Sequence, residues 1–234
     1  MNILSIDTSS NICGVSILNN TKLICNLDTN TNKTHSENLM PMIELALKKS
    51  NLSLKDINLL ICDIGPGSFT GIRIGVSTVK AFMDSLNIPC VPVTSLEALA
   101  YNVKLEFGEN YNGLVCSIID CKHSNCYFAL FNFDNGICSQ IIEPKTDSID
   151  NALEIIKKEN KLSNKIVFVG DGCLLHKDLI KNAFSNAVFL EEKKNILNSY
   201  VLALAGLNKT STTNSSEILP LYIKKPQAQM SITQ

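Results

Sequence analysis

Three groups of residues in this chain have the types and spacing to do chemistry. Asp7-Thr8-Ser9 stands where an apolar run ends in a polar turn. Hydroxyls and free backbone amides at such a turn can line a phosphate, and the carboxylate can hold a hydrated metal ion. The same residues equally suit a turn that satisfies only itself, since Asp and Ser side chains bond nearby backbone. The second group is Gly65-Pro66-Gly67-Ser68-Phe69-Thr70-Gly71-Ile72-Arg73-Ile74-Gly75. A glycine-rich turn that opens a helix presents unpaired amides and the positive end of the dipole to an oxyanion. No Gly-Lys-Ser/Thr follows, and the glycine spacing is not that of a dinucleotide fingerprint. Gly67, Gly71 and Gly75 recur every fourth residue, forming a bare stripe once helical. Each costs about 1 kcal/mol against alanine in a helix interior, so an offsetting gain is implied. Close packing on the domain's own sheet, or on a helix of another subunit, ranks ahead of phosphate binding. Should a nucleotide bind, Asp7, Thr8, Ser9, Gly65 and Gly67 are the residues placed to hold it.

The third group is Cys116, Cys121 and Cys126 with His123. Its Cys-x4-Cys-x4-Cys spacing is not that of a zinc knuckle, and Cys116 falls inside an apolar run, so buried thiols are expected and no metal site. His35 and His176 each lack a second histidine at i+4. No Gly-x-Ser-x-Gly elbow occurs, and no serine or cysteine has an evident base, so a nucleophilic hydrolase is unsupported. Arg73 is the only arginine among 21 basic residues. Its fork implies a fixed bidentate partner, either a ligand or a carboxylate of the same chain.

The elements that must position these groups follow from the patterning. At 234 residues with 45% apolar content, the chain can bury a proper core. A net charge of −1 gives no field to draw in nucleic acid or an anionic membrane. Ile3–Asp7, Gly14–Leu18 and Lys22–Leu27 alternate as three strands, with Asn19-Asn20 as a hairpin turn. Thr34-His35-Ser36-Glu37 has capping-box spacing and opens a helix to about Lys49. Ile57–Ile64 reads as a buried strand, Thr70–Ser85 as a helix, Pro89–Val93 as a strand and Ser95–Val103 as a helix. The second half repeats the order with strands at 114–120, 126–133 and 137–142, a helix at 148–159 and a strand at 166–169. Asp7 and Asp120 lie 113 residues apart, and Gly65 and Gly170 lie 105 apart. Two duplicated α/β lobes are expected, at 1–105 and 106–225, with a linker at 210–216 and a loose tail at 226–234.

The first helix carries Leu39, Met40, Met42, Ile43, Leu45, Ala46 and Leu47, more than one apolar stripe needs. It therefore has two buried faces, one of them against a partner or against another part of the same domain. The absence of a basic leader before Asp7 argues against a secretory signal. Ile196–Leu207 is shorter than the ~20 residues of a membrane span. Nine cysteines, an odd number scattered through apolar runs, read as a reduced cytoplasmic protein.

Four segments together resemble the TsaB (YeaZ) family: Ile6-Asp7-Thr8-Ser9, Thr34 to Pro41, Gly65 to Gly75, and Pro92 to Ala100. The resemblance is dense to about Val103 and thin beyond. It implies the actin-like/sugar-kinase (ASKHA) fold and a part in making threonylcarbamoyladenosine (t6A) on tRNA. It implies a non-catalytic subunit that pairs with a TsaD-type catalytic paralogue and is joined by a TsaE-type ATPase. Transfer RNA would be contacted only through that complex, ATP or ADP could sit at the subunit joint, and the chain would self-dimerise when the partner is absent. The paralogue binds metal through Val-Asn-His-x-Glu-Gly-His, where this chain reads Val93-Thr94-Ser95-Leu96-Glu97-Ala98-Leu99. Ser95 and Leu99 thus replace both histidines, so no catalytic residue is expected. The resemblance puts the partner interface on the two helices, at Leu39, Met42, Ile43, Ala46, Phe69, Gly71, Ile72, Gly75 and Val79. Lys122 and Asn125 stand where family members often have Arg and Glu, which weakens a nucleotide cleft in the second lobe. A small-molecule phosphotransferase acting through Asp7 is the alternative.

Overall fold

The computed structural model describes residues 1–30, 34–122, 124–160 and 165–223. Strands β1 (Asn2–Asp7), β2 (Cys13–Asn19) and β3 (Lys22–Thr29) form an antiparallel meander. Strands β4 (Leu59–Asp63) and β5 (Cys90–Val93) join β1 in parallel, giving the order β3-β2-β1-β4-β5. Alternate residues of β1 serve two different cores, as the period of a strand requires. Leu4 and Ile6 face helices α1 (His35–Lys49) and α2 (Phe69–Leu86). Ile3 faces α3 (Ser95–Ala100) and α8 (Ser199–Gly206), and this second core is shared with the other lobe. The Thr34 capping box that starts α1 is formed: Glu37 Oε2 accepts from Thr34 N at 2.8 Å and from Thr34 Oγ1 at 2.7 Å.

Helix α4 (Asn102–Phe107) leads into the second sheet. Its strands are β6 (Gly113–Asp120), β7 (Asn125–Asp134), β8 (Ile137–Ser148), β9 (Ile166–Val169) and β10 (Ala187–Phe189). The order β8-β7-β6-β9-β10 repeats the first sheet strand for strand. Helices α5 (Ile149–Glu159) and α7 (Lys177–Ala183) cover its outer face, and α6 (Asp171–Leu175) follows β9. Val115, Ala129, Phe131 and Val167 line its inner face, in the core that holds α3 and α8. Two mixed sheets with duplicated order, flanked by helices, are the ASKHA arrangement.

Four departures from the sequence reading have physical causes. Strand β8 continues through Pro144 to Ser148, because an edge strand tolerates a residue without an N–H. The helix expected from Ser95 to Val103 breaks at Tyr101 into α3 and α4. Helix α8 is apolar on all sides because it is buried on all sides, so no period marks it. The segment 210–216 is not a linker: Cys90 and Thr212 exchange backbone hydrogen bonds at 2.9 Å in both directions. Ile218 then enters the first lobe's core, and Leu221 N donates to Ile64 O at 2.7 Å. From Ser199 onward the described chain therefore returns to the first lobe, in place of ending the second as a division at 106–225 would have it. The expected tail, 226–234, lies outside the described residues.

Candidate functional site

The turn after β1 is closed from within. Asp7 Oδ1 accepts from Ser9 N at 2.9 Å and from Ser9 Oγ at 2.8 Å. Thr8 Oγ1 donates to Gly71 O at 2.7 Å, and Ser68 N donates to Ser9 O at 2.6 Å. The glycine stripe lies directly on this turn. A Cβ at Gly67 would stand 2.2 Å from Ser9 O, one at Gly71 2.0 Å from Thr8 O, and one at Gly75 2.5 Å from Thr8 Oγ1. The gain that offsets Gly71 and Gly75 in α2 is thus contact with this chain's own first turn, on which Gly67, just before the helix, also rests.

Asp7, Thr8 and Ser9 are at most 4% exposed, so none presents a surface to a nucleotide. Gly65 is buried as well, at φ +98°, a conformation suited to glycine. Gly67 is half-buried under Ser9. The set expected to hold a nucleotide is therefore a packing joint. Of the two positions that the resemblance sets opposite the paralogue's histidines, Ser95 donates its hydroxyl to Asp63 at 2.8 Å, and Leu99 lies in the core between the lobes. Neither side chain offers an imidazole to a metal.

The expected partner interface also divides. Leu39, Ile43, Ala46, Gly71, Ile72, Gly75 and Val79 are buried inside this chain, and Met42 packs partly against the same core. Helix α1 sits on β2 and β3 and also against α2; these two covers within one lobe take up Leu39, Met42, Ile43, Ala46 and Leu47, and leave Met40 and Leu45 exposed. Only Phe69 of the nine is exposed, at 39%; Met40, on α1, is exposed at 43%. A groove of about 490 Å³ runs between the two helices, lined by Ser36, Met40, Phe69, Arg73, Ile74 and Ser77 among others. It adjoins a polar recess at the two helix starts, where His35 Nε2 lies 2.8 Å from Ser10 O.

Arg73 borders the groove with a partner that sequence reasoning missed. Its guanidinium carbon lies 3.8 Å above the Phe69 ring, and Nε donates to the Tyr222 hydroxyl at 2.7 Å. The Phe69 and Tyr222 rings are 4.9 Å apart. A planar guanidinium stacks on aromatic faces as an ammonium does not, which explains a lone arginine among lysines. The expected carboxylate of the same chain is not found: among the described residues Arg73 makes no ion pair.

Cys116 and Cys126 lie in the outer core of the second lobe, and Cys121 at its edge; His123 lies outside the described residues. Burial pushes the Cys126 thiol up to about 12, and raises that of Cys116 as well. Because the thiolate is the nucleophile, a thiol reagent should label native protein quickly at Cys121 alone. Cys138, half-buried but also pushed up to about 12, should lag, and all nine should react once the chain is unfolded. Labelling followed by peptide mapping checks this.

A family model described as "TsaD: tRNA N6-adenosine threonylcarbamoyltransferase" matches residues 27–232. The chain is 32% identical over 190 residues to the tRNA threonylcarbamoyladenosine biosynthesis protein TsaB of Bacillus subtilis, covering 81% of this chain and 80% of that one. It is 29% identical over 184 residues to the protein of the same name from Escherichia coli, covering 78% and 77%. YeaZ from Pseudomonas aeruginosa has the same fold, with a TM-score of 0.73 at 19% identity over 94% of this chain and 99% of that one. The class is thus that of the two-lobed threonylcarbamoyltransferase-related proteins. Within it, the chain belongs to the TsaB/YeaZ family. Among the described residues, no helix is long and apolar enough to cross a membrane.

Proposed function

We propose that this chain is a non-catalytic subunit in the synthesis of t6A on tRNA, and that it binds and activates a TsaD-type catalytic paralogue. The observation that carries this reading is the exposed groove between α1 and α2, beside an Asp7 turn that is buried under α2. Met40, Phe69 and Ile74 leave apolar surface at the groove, and Arg73 is held over it by Phe69 and Tyr222. Arginine and aromatic anchors of this kind are common at the centre of protein interfaces. The same face would pair two copies of the chain when the partner is missing. A TsaE-type ATPase would join the assembled pair, which would also carry the contacts to tRNA. Any ATP or ADP would be held at the subunit joint, since the Asp7 turn is occupied by α2. A cytoplasmic location suits both tRNA modification and nine free thiols.

The test is threonylcarbamoyl transfer to tRNA by the catalytic paralogue, with and without this chain. Addition should raise the rate several-fold, and the chain alone should transfer nothing. ATP turnover by the isolated chain, abolished by Asp7→Asn, would instead establish a phosphotransferase.

A further inference from the structure

Strands β1 and β4 are parallel neighbours with Ile6 beside Cys62, so Asp7 and Asp63 end them side by side. Both carboxyls are buried, and among the described residues neither forms a salt bridge. The available donors crowd three of the four oxygens. Asp7 Oδ1 takes Ser9 N and Oγ, Asp63 Oδ1 takes Gly65 N at 2.6 Å, and Ser95 Oγ reaches Asp63 Oδ1 at 2.8 Å and Oδ2 at 2.9 Å. Asp7 Oδ2 is buried with no donor at all, at the strand end that lies beside Asp63. Two neighbouring buried carboxylates without a basic side chain beside them cannot both stay ionised.

We propose that Asp7 and Asp63 are an acid–carboxylate pair that retains one shared proton at neutral pH, bridging Asp63 to Asp7 Oδ2. That proton supplies the one donor the site lacks. The pair fastens three pieces of chain together. Through Ser9 it holds the turn on which the α2 glycines rest, and through Gly65 it holds the loop that enters α2. Through Ser95 it holds the first residue of α3, which packs between the lobes. The family's glycine-rich segment is here seated on a buried proton.

The surrounding groups favour retention of the proton. Asp28 on β3 adds negative charge. Cys13 on β2 and Cys62 on β4 face the pair as neutral thiols, Cys13 pushed up to about 12 by burial. His35 on α1 is turned to Ser10 O, the first turn of α2 holds no acid, and Glu97 on α3 is paired with Lys209. Burial raises both carboxyls above the ordinary range; the Asp7 charge adds to this at Asp63, and the Asp28 charge at Asp7. A carboxyl protonated when folded but ionised when unfolded makes the folded state bind more protons. Its contribution to stability is therefore whole at acid pH and is lost as pH rises toward the raised value.

Asp63→Asn keeps an acceptor for Gly65 N and Ser95 Oγ, and its amide supplies Asp7 Oδ2 with a permanent donor. Thermal unfolding of the full chain and of this variant is compared at about pH 5 and about pH 8, together with infrared spectra at neutral pH. Between those pH values the difference in Tm should move in the variant's favour by at least ~3 °C. The wild-type spectrum should show the carbonyl band of a protonated carboxylic acid that Asp63→Asn lacks. Asp7→Asn, which also leaves one carboxyl in place of two, should lose the band as well, so the assignment survives failure of either variant to fold. Parallel Tm curves without the band would overturn the proposal. So would a rise in wild-type Tm on adding Mg²⁺ that both variants lose, since a cation would then occupy the place of the proton.

Discussion

Gly71→Ala should destabilise the chain by about 2 kcal/mol or more, lowering Tm by at least ~5 °C. Alanine would gain about 1 kcal/mol of helix propensity at this position. Against that gain, its Cβ would stand 2.0 Å from Thr8 O, a backbone atom held by Thr8 Oγ1 bonded to Gly71 O. A backbone oxygen cannot swing aside like the end of a flexible side chain, so α2 would have to lift from its turn. Ser77→Ala, on the exposed side of the same helix, should leave Tm unchanged or slightly raised. Thermal melts of the two variants decide it. Equal stability of Gly71→Ala and wild type would mean that α2 is not seated on the first turn.

The second large effect is on association. Met40→Glu combined with Ser77→Arg places opposite charges on α1 and α2 across the exposed groove, away from the core residues beneath it. Burying those charges against an apolar partner is costly, and the affinity for a TsaD-type subunit should fall by roughly 100-fold or more, about 2.7 kcal/mol. Because both positions are exposed, Tm should stay within ~2 °C of wild type. Leu175→Glu, at a more exposed apolar site on α6 in the second lobe, should leave affinity unchanged. Titration calorimetry with the three proteins measures the difference. Unaltered binding by the double variant would move the interface elsewhere.

Much of the fold was legible because period and punctuation agreed along the chain. Alternation in 3–7 and 14–18, the Asn19-Asn20 turn and the Thr34 cap each specify one local structure, and each recurs in the molecule. The glycine stripe was legible as packing, but spacing alone does not say against what. The breadth of α1 misled in the same way: an apolar surface wider than one stripe shows that two covers exist, and here α2 and the sheet supply both. Asp63 was missed because it lay inside an apolar run. The available signal was a charge at the end of a buried strand, next to a glycine turn, matching Asp7 at the end of β1. Tyr222 gave no signal, since its role depends on a chain return of 149 residues to Arg73.

The most direct test of the account is sedimentation of this chain with a TsaD-type subunit in about 1 M salt, where charges are screened beyond ~3 Å. A groove closed mainly by apolar contact should hold a stoichiometric complex there, almost as tightly as at low salt. Separate sedimentation of the two proteins, at low salt as at high, would contradict it.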